Sequence, residues 1–158
     1  RDSTGSRYQA RADMIQDFIR FHKNLPSSLA IKLHKYNDFS YSINRGFEAS
    51  QIAAVLPPNL QQDMFFHLHA HLIRKVPMFS TCEEAFLKAL VYLLKPQVLL
   101  APDFAFKWGD MGTRMFFIQR GQMQILSEDL GRVLCSLFAG SYFGELAMLT
   151  SQRRTATA

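Results

Sequence analysis

The residues with the clearest chemistry lie in Gly140 to Ala158, GSYFGELAMLTSQRRTATA, where a glycine, a carboxylate and a pair of arginines surround one short helical turn. A β-like run from Val133 to Tyr142 leads into Phe143-Gly144-Glu145, and Leu146, Ala147, Met148 and Leu149 supply about one turn of helix. The first backbone N–H groups of such a helix have no intrahelical partner and carry partial positive charge, which favours an anion. Gly144 has no Cβ, so a ligand can approach the backbone closely. Nine residues after Glu145, Arg154 can return to the same place with a guanidinium fork matched to phosphate oxygens. Glu145 would repel a phosphate, so its place there suggests a neutral hydroxyl such as a ribose 2′-OH. A phosphate and a ribose hydroxyl at that separation describe a nucleotide. The plainer alternative is a surface ion pair between Glu145 and Arg153 or Arg154, worth only ~0–1 kcal/mol.

FGELAML followed by RRTATA resembles the phosphate-binding cassette of cyclic-nucleotide-binding domains. Over Gly140 to Thr157 it is particularly similar to hyperpolarisation-activated, cyclic-nucleotide-gated channels and their cyclic-nucleotide-gated relatives. The resemblance implies backbone N–H donors at Gly144, Leu146 and Ala147, a ribose contact from Glu145, and pairing of Arg154, beside Arg153, with the cyclic phosphate. It also implies that Thr155 contacts the phosphate and, for cGMP, the guanine amino group. Ile125, Cys135 and Leu137 alternate on expected strands and, by the same resemblance, line the base side of the pocket; without it they are core-facing strand residues. The ligand is cAMP or cGMP, which Thr155 leaves open, and no cofactor or metal is implied.

The elements that must hold these residues fall into two textures. From Arg7 to Asn24, Met14, Phe18, Phe21 and Leu25 step at helical spacing with Ile15 and Ile19 beside them, while Arg11, Asp17 and Arg20 face outward. Arg1 to Ser6 is polar and reads as loose chain. Pro26 ends the first helix, and Ser27 or Ser28 caps a second over Leu29 to Tyr41. Asn44-Arg45-Gly46 reads as a turn, and Glu48 to Val55 as a short helix before Pro57-Pro58. A long helix follows from an Asn59 cap through Lys75, with Leu60, Met64, Leu68 and His71 or Leu72 along one side. Pro77 closes it, Met78-Phe79-Ser80 makes a turn, and Glu83 to Leu94 is an apolar helix.

After Pro96 the texture changes to short β runs separated by glycines. Candidate strands are Gln97 to Ala101, Phe104 to Trp108, Met115 to Arg120, Gln122 to Ser127, Val133 to Leu137 and Ser141 to Phe143. Many short strands with regular turns indicate a barrel or sandwich, and the resemblance selects a β-roll. GDMGTRMFFIQRG, Gly109 to Gly121, resembles the second signature of the same family. FHKNLPSSL and LIRKVPMF resemble the C-linker that joins a channel pore to its binding domain. The expected fold is therefore α+β: a helical C-linker, residues 1–76, then a jelly-roll binding domain, residues 77–158, stopping before the helix that closes over the base. Two departures from the family pattern stand out. Pro102-Asp103 replaces Pro-Gly-Asp, so an aspartate tolerant of left-handed geometry is expected to make the turn. Thr155 to Ala158 is only the start of a strand, so weak binding is expected of a chain lacking the closing helix.

Composition excludes some classes. The 158 residues are 48% hydrophobic with 14 Phe, enough for an aromatic-rich core, and the net charge is +5. Residues 1–76 hold 10 Lys and Arg against 6 Asp and Glu, with no dense basic run, so nucleic-acid binding gains little support. Cys82 and Cys135 lie far apart and read as reduced thiols. No apolar run reaches the ~18 residues of a membrane span, so the piece itself reads as soluble; the resemblance implies the cytoplasmic side of the plasma membrane. His67 and His71 share a helix face at a spacing that can chelate zinc, but no third ligand accompanies them. Glu145 and Arg154 have no base, nucleophile or metal set beside them, which argues against an enzyme. The resemblance implies assembly as a homo- or hetero-tetramer through the linker, beneath a membrane pore domain. The alternative is a cyclic-nucleotide-responsive transcription factor or kinase regulatory subunit. The first places its helical part after the roll; the second lacks so long a helical approach.

Overall fold

The computed structural model describes residues 3–44 and 49–158. By contacts the chain forms two units, Arg1–Pro57 and Pro58–Ala158.

The first unit contains α1 (Ser3–Phe21), α2 (Ser27–Asn44) and α3 (Ala49–Ala53). The first helix starts earlier than its apolar pattern does. Residues 3–6 contain no proline, and extending a formed helix adds a hydrogen bond for each residue fixed. The inner face also differs from the expected stripe. Ile15 and Ile19 are half-buried, while Met14 is 71% and Phe21 82% exposed. Packed on α2, α1 covers only part of its wide apolar arc. Polar contacts fix that part. Tyr8 donates to Asp38 at 2.7 Å, the Arg11 guanidinium donates to Ser40 at 3.3 Å, and the Tyr8 and Tyr41 rings lie 4.6 Å apart. Arg11, expected to face outward, is therefore half-buried. The expected turn at Asn44-Arg45-Gly46 and the helix start at Glu48 fall on residues 45–48, outside the described residues.

The second unit begins with α4 (Pro58–Ile73), α5 (Pro77–Ser80) and α6 (Glu84–Tyr92). Proline occupies the first position of both α4 and α5, where its missing N–H costs nothing. Asn59 is thus inside α4 rather than its cap, and Met78-Phe79-Ser80 is helical rather than a turn. The inner face of α4 carries Phe65, Phe66, Ala70, Leu72 and Ile73; of the expected line, Leu72 is buried whereas Leu60 and Leu68 are exposed. Ile73 seals against Leu87 and Val91 of α6, and all three are at most 2% exposed. On the rim, Lys88 bridges Asp63 at 2.9 Å and Glu84 at 3.2 Å.

Four strands follow: β1 (Phe116–Phe117), β2 (Gln122–Leu126), β3 (Val133–Phe138) and β4 (Tyr142–Phe143), then α7 (Glu145–Thr150). They pair as two antiparallel two-stranded sheets, β1 with β4 and β2 with β3, and close no barrel among the described residues. Helices thus precede an antiparallel strand region, the expected α+β order. Phe117 packs on the α4–α6 cluster, whereas Phe116 joins a second cluster built on Ile118, Phe143 and Ala158. Successive strand residues point to opposite sides, so β1 contributes to both.

The two strands expected before Gly109 are not ladders. Phe104 to Trp108 spends its bonds on the end of the chain: Ala105 N–H reaches Ala158 O at 2.6 Å, and Ala158 N–H reaches Phe106 O at 3.0 Å. On its other side, Thr157 exchanges both backbone bonds with Leu126. Residues 153–158 therefore stitch two segments together through single bridges instead of lying in one sheet. Gln97 to Ala101 runs into a turn at Leu100–Asp103, where Asp103 N–H donates to Leu100 O and the Asp103 carboxylate accepts from Leu100 N–H. The Ala101–Pro102 peptide is cis. Asp103 is not left-handed; Leu130 and Ser151 are the non-glycine residues with positive φ among those described.

Candidate functional site

Pairing of Phe143 with Phe116 and of Tyr142 with Phe117 delivers the chain to Gly144. Gly144 precedes α7 with φ 83°, a left-handed conformation that glycine adopts without steric cost. Glu145 then opens the helix, half-buried in its first turn; Leu146 points outward and Ala147 inward. The inward side is tightly covered by the loop ahead of β1. A Cβ added to Gly112 would lie 2.2 Å from the Ala147 Cβ, so only a bare backbone fits there.

Arg154 comes back to this turn. It is 5% exposed, and its backbone is fixed by the bonds Arg154 N–H to Asp110 O and Gly109 N–H to Arg154 O, both 2.8 Å. Its Nη1 donates to Gly144 O and its Nη2 to Arg114 O. One face of the guanidinium lies 4.0 Å from the centre of the Phe106 ring. Its Nε–H is buried with no partner. Burial holds the Arg154 pKa below the usual arginine value, and the nearby Arg114 charge adds to that; Asp110 and Glu145 act in the opposite sense. A buried cation with one unsatisfied donor is a costly arrangement in an apolar setting, and an anion within reach relieves it.

The structure thus brings together Gly144, Glu145, Leu146, Ala147 and Arg154. No ion pair joins Glu145 to Arg153 or Arg154 among the described residues. Arg153 takes another course. It is exposed, and its Nη1 donates to Gly109 O at 2.9 Å. With Thr155, Trp108, Gly109, Gln152 and Arg154 it lines a shallow hollow of about 500 Å³. Ile125 and Leu137 are half-buried on the second cluster, and Cys135 faces Ile125 across the β2–β3 ladder with its side chain exposed.

Three participants escaped the sequence reading. Phe106 reads only as part of a strand, and Arg114 and Gly112 only as part of a signature. The glycine spacing of Gly109-Asp-Met-Gly112 carried a signal for the close approach. Nothing local marked Phe106 as the neighbour of a guanidinium 48 residues later. On α4, His67 and His71 are exposed, while burial first and the His71 charge second lower the His69 pKa. No group of three His, Cys, Asp or Glu side chains is placed to hold a metal among the described residues. No described helix is long and apolar enough to cross a membrane.

Residues 97–158 match the family model of the cyclic nucleotide-binding domain. The chain is similar to a cyclic nucleotide-gated channel of Caenorhabditis elegans, at 33% identity over 94% of this chain and 21% of that protein. It is similar as well to the cyclic nucleotide-gated channel rod photoreceptor subunit alpha of Gallus gallus, at 28% over 94% of this chain and 24% of the relative. Cyclic nucleotide-gated channel alpha-2 of Rattus norvegicus shares 28% over 98% of this chain and 24% of its own length. The chain spans 21% to 24% of the length of these relatives.

Proposed function

We propose that this chain, whose residues 97–158 belong to the cyclic nucleotide-binding domain family, is the cytoplasmic regulatory module of a tetrameric cyclic nucleotide-gated cation channel. It binds cAMP or cGMP and biases the pore toward opening. The observation that carries the reading is Arg154: a buried guanidinium aimed at the glycine that opens α7, with one N–H unsatisfied. The cyclic phosphate takes that N–H, together with backbone donors at Gly144, Leu146 and Ala147. Glu145 accepts from the ribose 2′-OH. Thr155 contributes a hydroxyl beside the phosphate, and Ile125, Cys135 and Leu137 form the wall against the base. Arg153, bonded to Gly109 on the outer surface, supports the approach of an anion rather than its final contact.

In this reading residues 1–76 are the linker and 77–158 the binding domain. The packing of α4 on α6 through Ile73, Leu87 and Val91 supports a linker helix built directly into the binding domain. The ligand acts by preferring one arrangement of the roll and its helices, so that differential affinity shifts a population. Exposed Met14, Phe18 and Phe21 on α1 support subunit contacts in a tetramer. Light scattering over a concentration series, with and without nucleotide, measures assembly.

The direct test is calorimetric titration of cAMP and cGMP into the protein and its Arg154→Glu variant. Reversing the charge abolishes binding in this reading, and unchanged affinity overturns it.

A further inference from the structure

We propose that Phe106 is a positioning residue of the anion site, whose ring sets where the Arg154 guanidinium lies. The proposal deepens the cyclic-nucleotide reading and rests on it for the identity of the ligand.

The guanidinium centre sits 4.0 Å from the Phe106 ring centroid, inside the range where the negative face of an aromatic ring attracts a cation. The ring is itself fixed. Its centroid is 5.8 Å from those of both Phe116 and Phe143, which stack on each other at 5.1 Å and 14°. A Cβ at Gly144 would stand 3.3 Å from the Phe106 ring and 2.8 Å from Arg154 Nη1, so ring, cation and helix-opening glycine meet in one small volume. Two carbonyls, of Gly144 and Arg114, hold the ends of the fork, and the ring covers one face. Nε–H is left without a partner but is itself buried, so a phosphate oxygen takes it only as the groups around it give way. An aliphatic side chain of similar size fills the space but offers no electron-rich face to offset desolvation of the charge. The ring therefore acts on the ligand only through Arg154.

Two kinds of measurement on the same variants test this. Calorimetry with cAMP and cGMP compares the unaltered protein with Phe106→Tyr, Phe106→Leu, Arg154→Lys and the double change Phe106→Leu with Arg154→Lys. Phe106→Tyr keeps affinity within about twofold, and Phe106→Leu weakens it about tenfold, the scale of a desolvated cation–ring contact. In the Arg154→Lys background the leucine substitution costs less affinity, because an ammonium has no planar fork for the ring to hold in place. Thermal melts of the unaltered protein, Phe106→Leu, Arg154→Lys and their double variant without nucleotide complete the cycle, and the double variant is expected to melt roughly 2–4 °C above the sum of the single losses. Additive melting losses, or a leucine variant that binds as tightly as the unaltered protein, overturn the positioning role. Should the unaltered protein bind neither nucleotide, the sensor reading fails, and the melts still decide whether ring and guanidinium are coupled.

Discussion

The two hydrophobic clusters of the second unit are built to opposite specifications. The cluster between α4 and α6 is aliphatic at its centre and tightly sealed: Ile73, Leu87 and Val91 are 0%, 1% and 2% exposed, and the Arg74 and Lys88 cations meet it only at its edge, over the Phe66 ring. The cluster beneath α7 is aromatic, less completely sealed, and closed on one side by a cation with an unsatisfied donor. The first gains stability from burial alone. The second gives up part of that gain to keep a charge desolvated and oriented. The difference teaches that the order of a region and its usefulness can be set by separate groups of side chains a few residues apart in sequence.

The largest effect that would sharpen this contrast is Leu87→Ala. Truncating a fully buried leucine is expected to remove about 2–5 kcal/mol of stability, read from urea unfolding, while the folded fraction keeps its nucleotide affinity. A loss of affinity equal to that of Arg154→Glu would erase the distinction between the clusters. Next is Gly112→Ala. Its Cβ has no room beside Ala147, so α7 must shift, at about 1–3 kcal/mol in denaturant melts and with weaker binding by calorimetry. If affinity is kept, the seating of α7 does not matter to the site. The smallest effect concerns pH. Folded His69 takes up a proton less readily than the unfolded chain does, because burial and the His71 charge disfavour its cation. Its contribution is complete above the ordinary histidine range and is lost as pH falls through that range. His69→Gln should flatten that part of the stability profile, measured as urea midpoints at pH 7.5 and 5.5, and should leave nucleotide affinity at neutral pH unchanged.

What could be read from the sequence follows from how local each feature is. FGELAML and RRTATA place a glycine, a short helix and a returning arginine within fifteen residues, and the structure brings Arg154 to Gly144. The alternation of helices and then strands was equally legible, since proline and glycine punctuate it. Which face of a helix turns inward was not. Met14 and Phe18 satisfy the apolar period as well as Ile15 and Ile19 do, and only the position of α2 chooses between them. Nor could the sequence show that Phe104 to Trp108 spends its hydrogen bonds on Ala158, a pairing across some fifty residues. Phe106 belongs to the same class of failure: its importance is a contact made at long range, with no local mark.

Phe116 and Phe117 are neighbours on a single peptide unit whose Cα atoms are about 3.8 Å apart, and each is anchored in a different cluster. A link that short has no slack. In the function proposed above, a tilt of the cluster beneath α7 on anion binding reaches α4 and α6 across a single amide, or else strains the pairing of β1 with Tyr142 and Phe143.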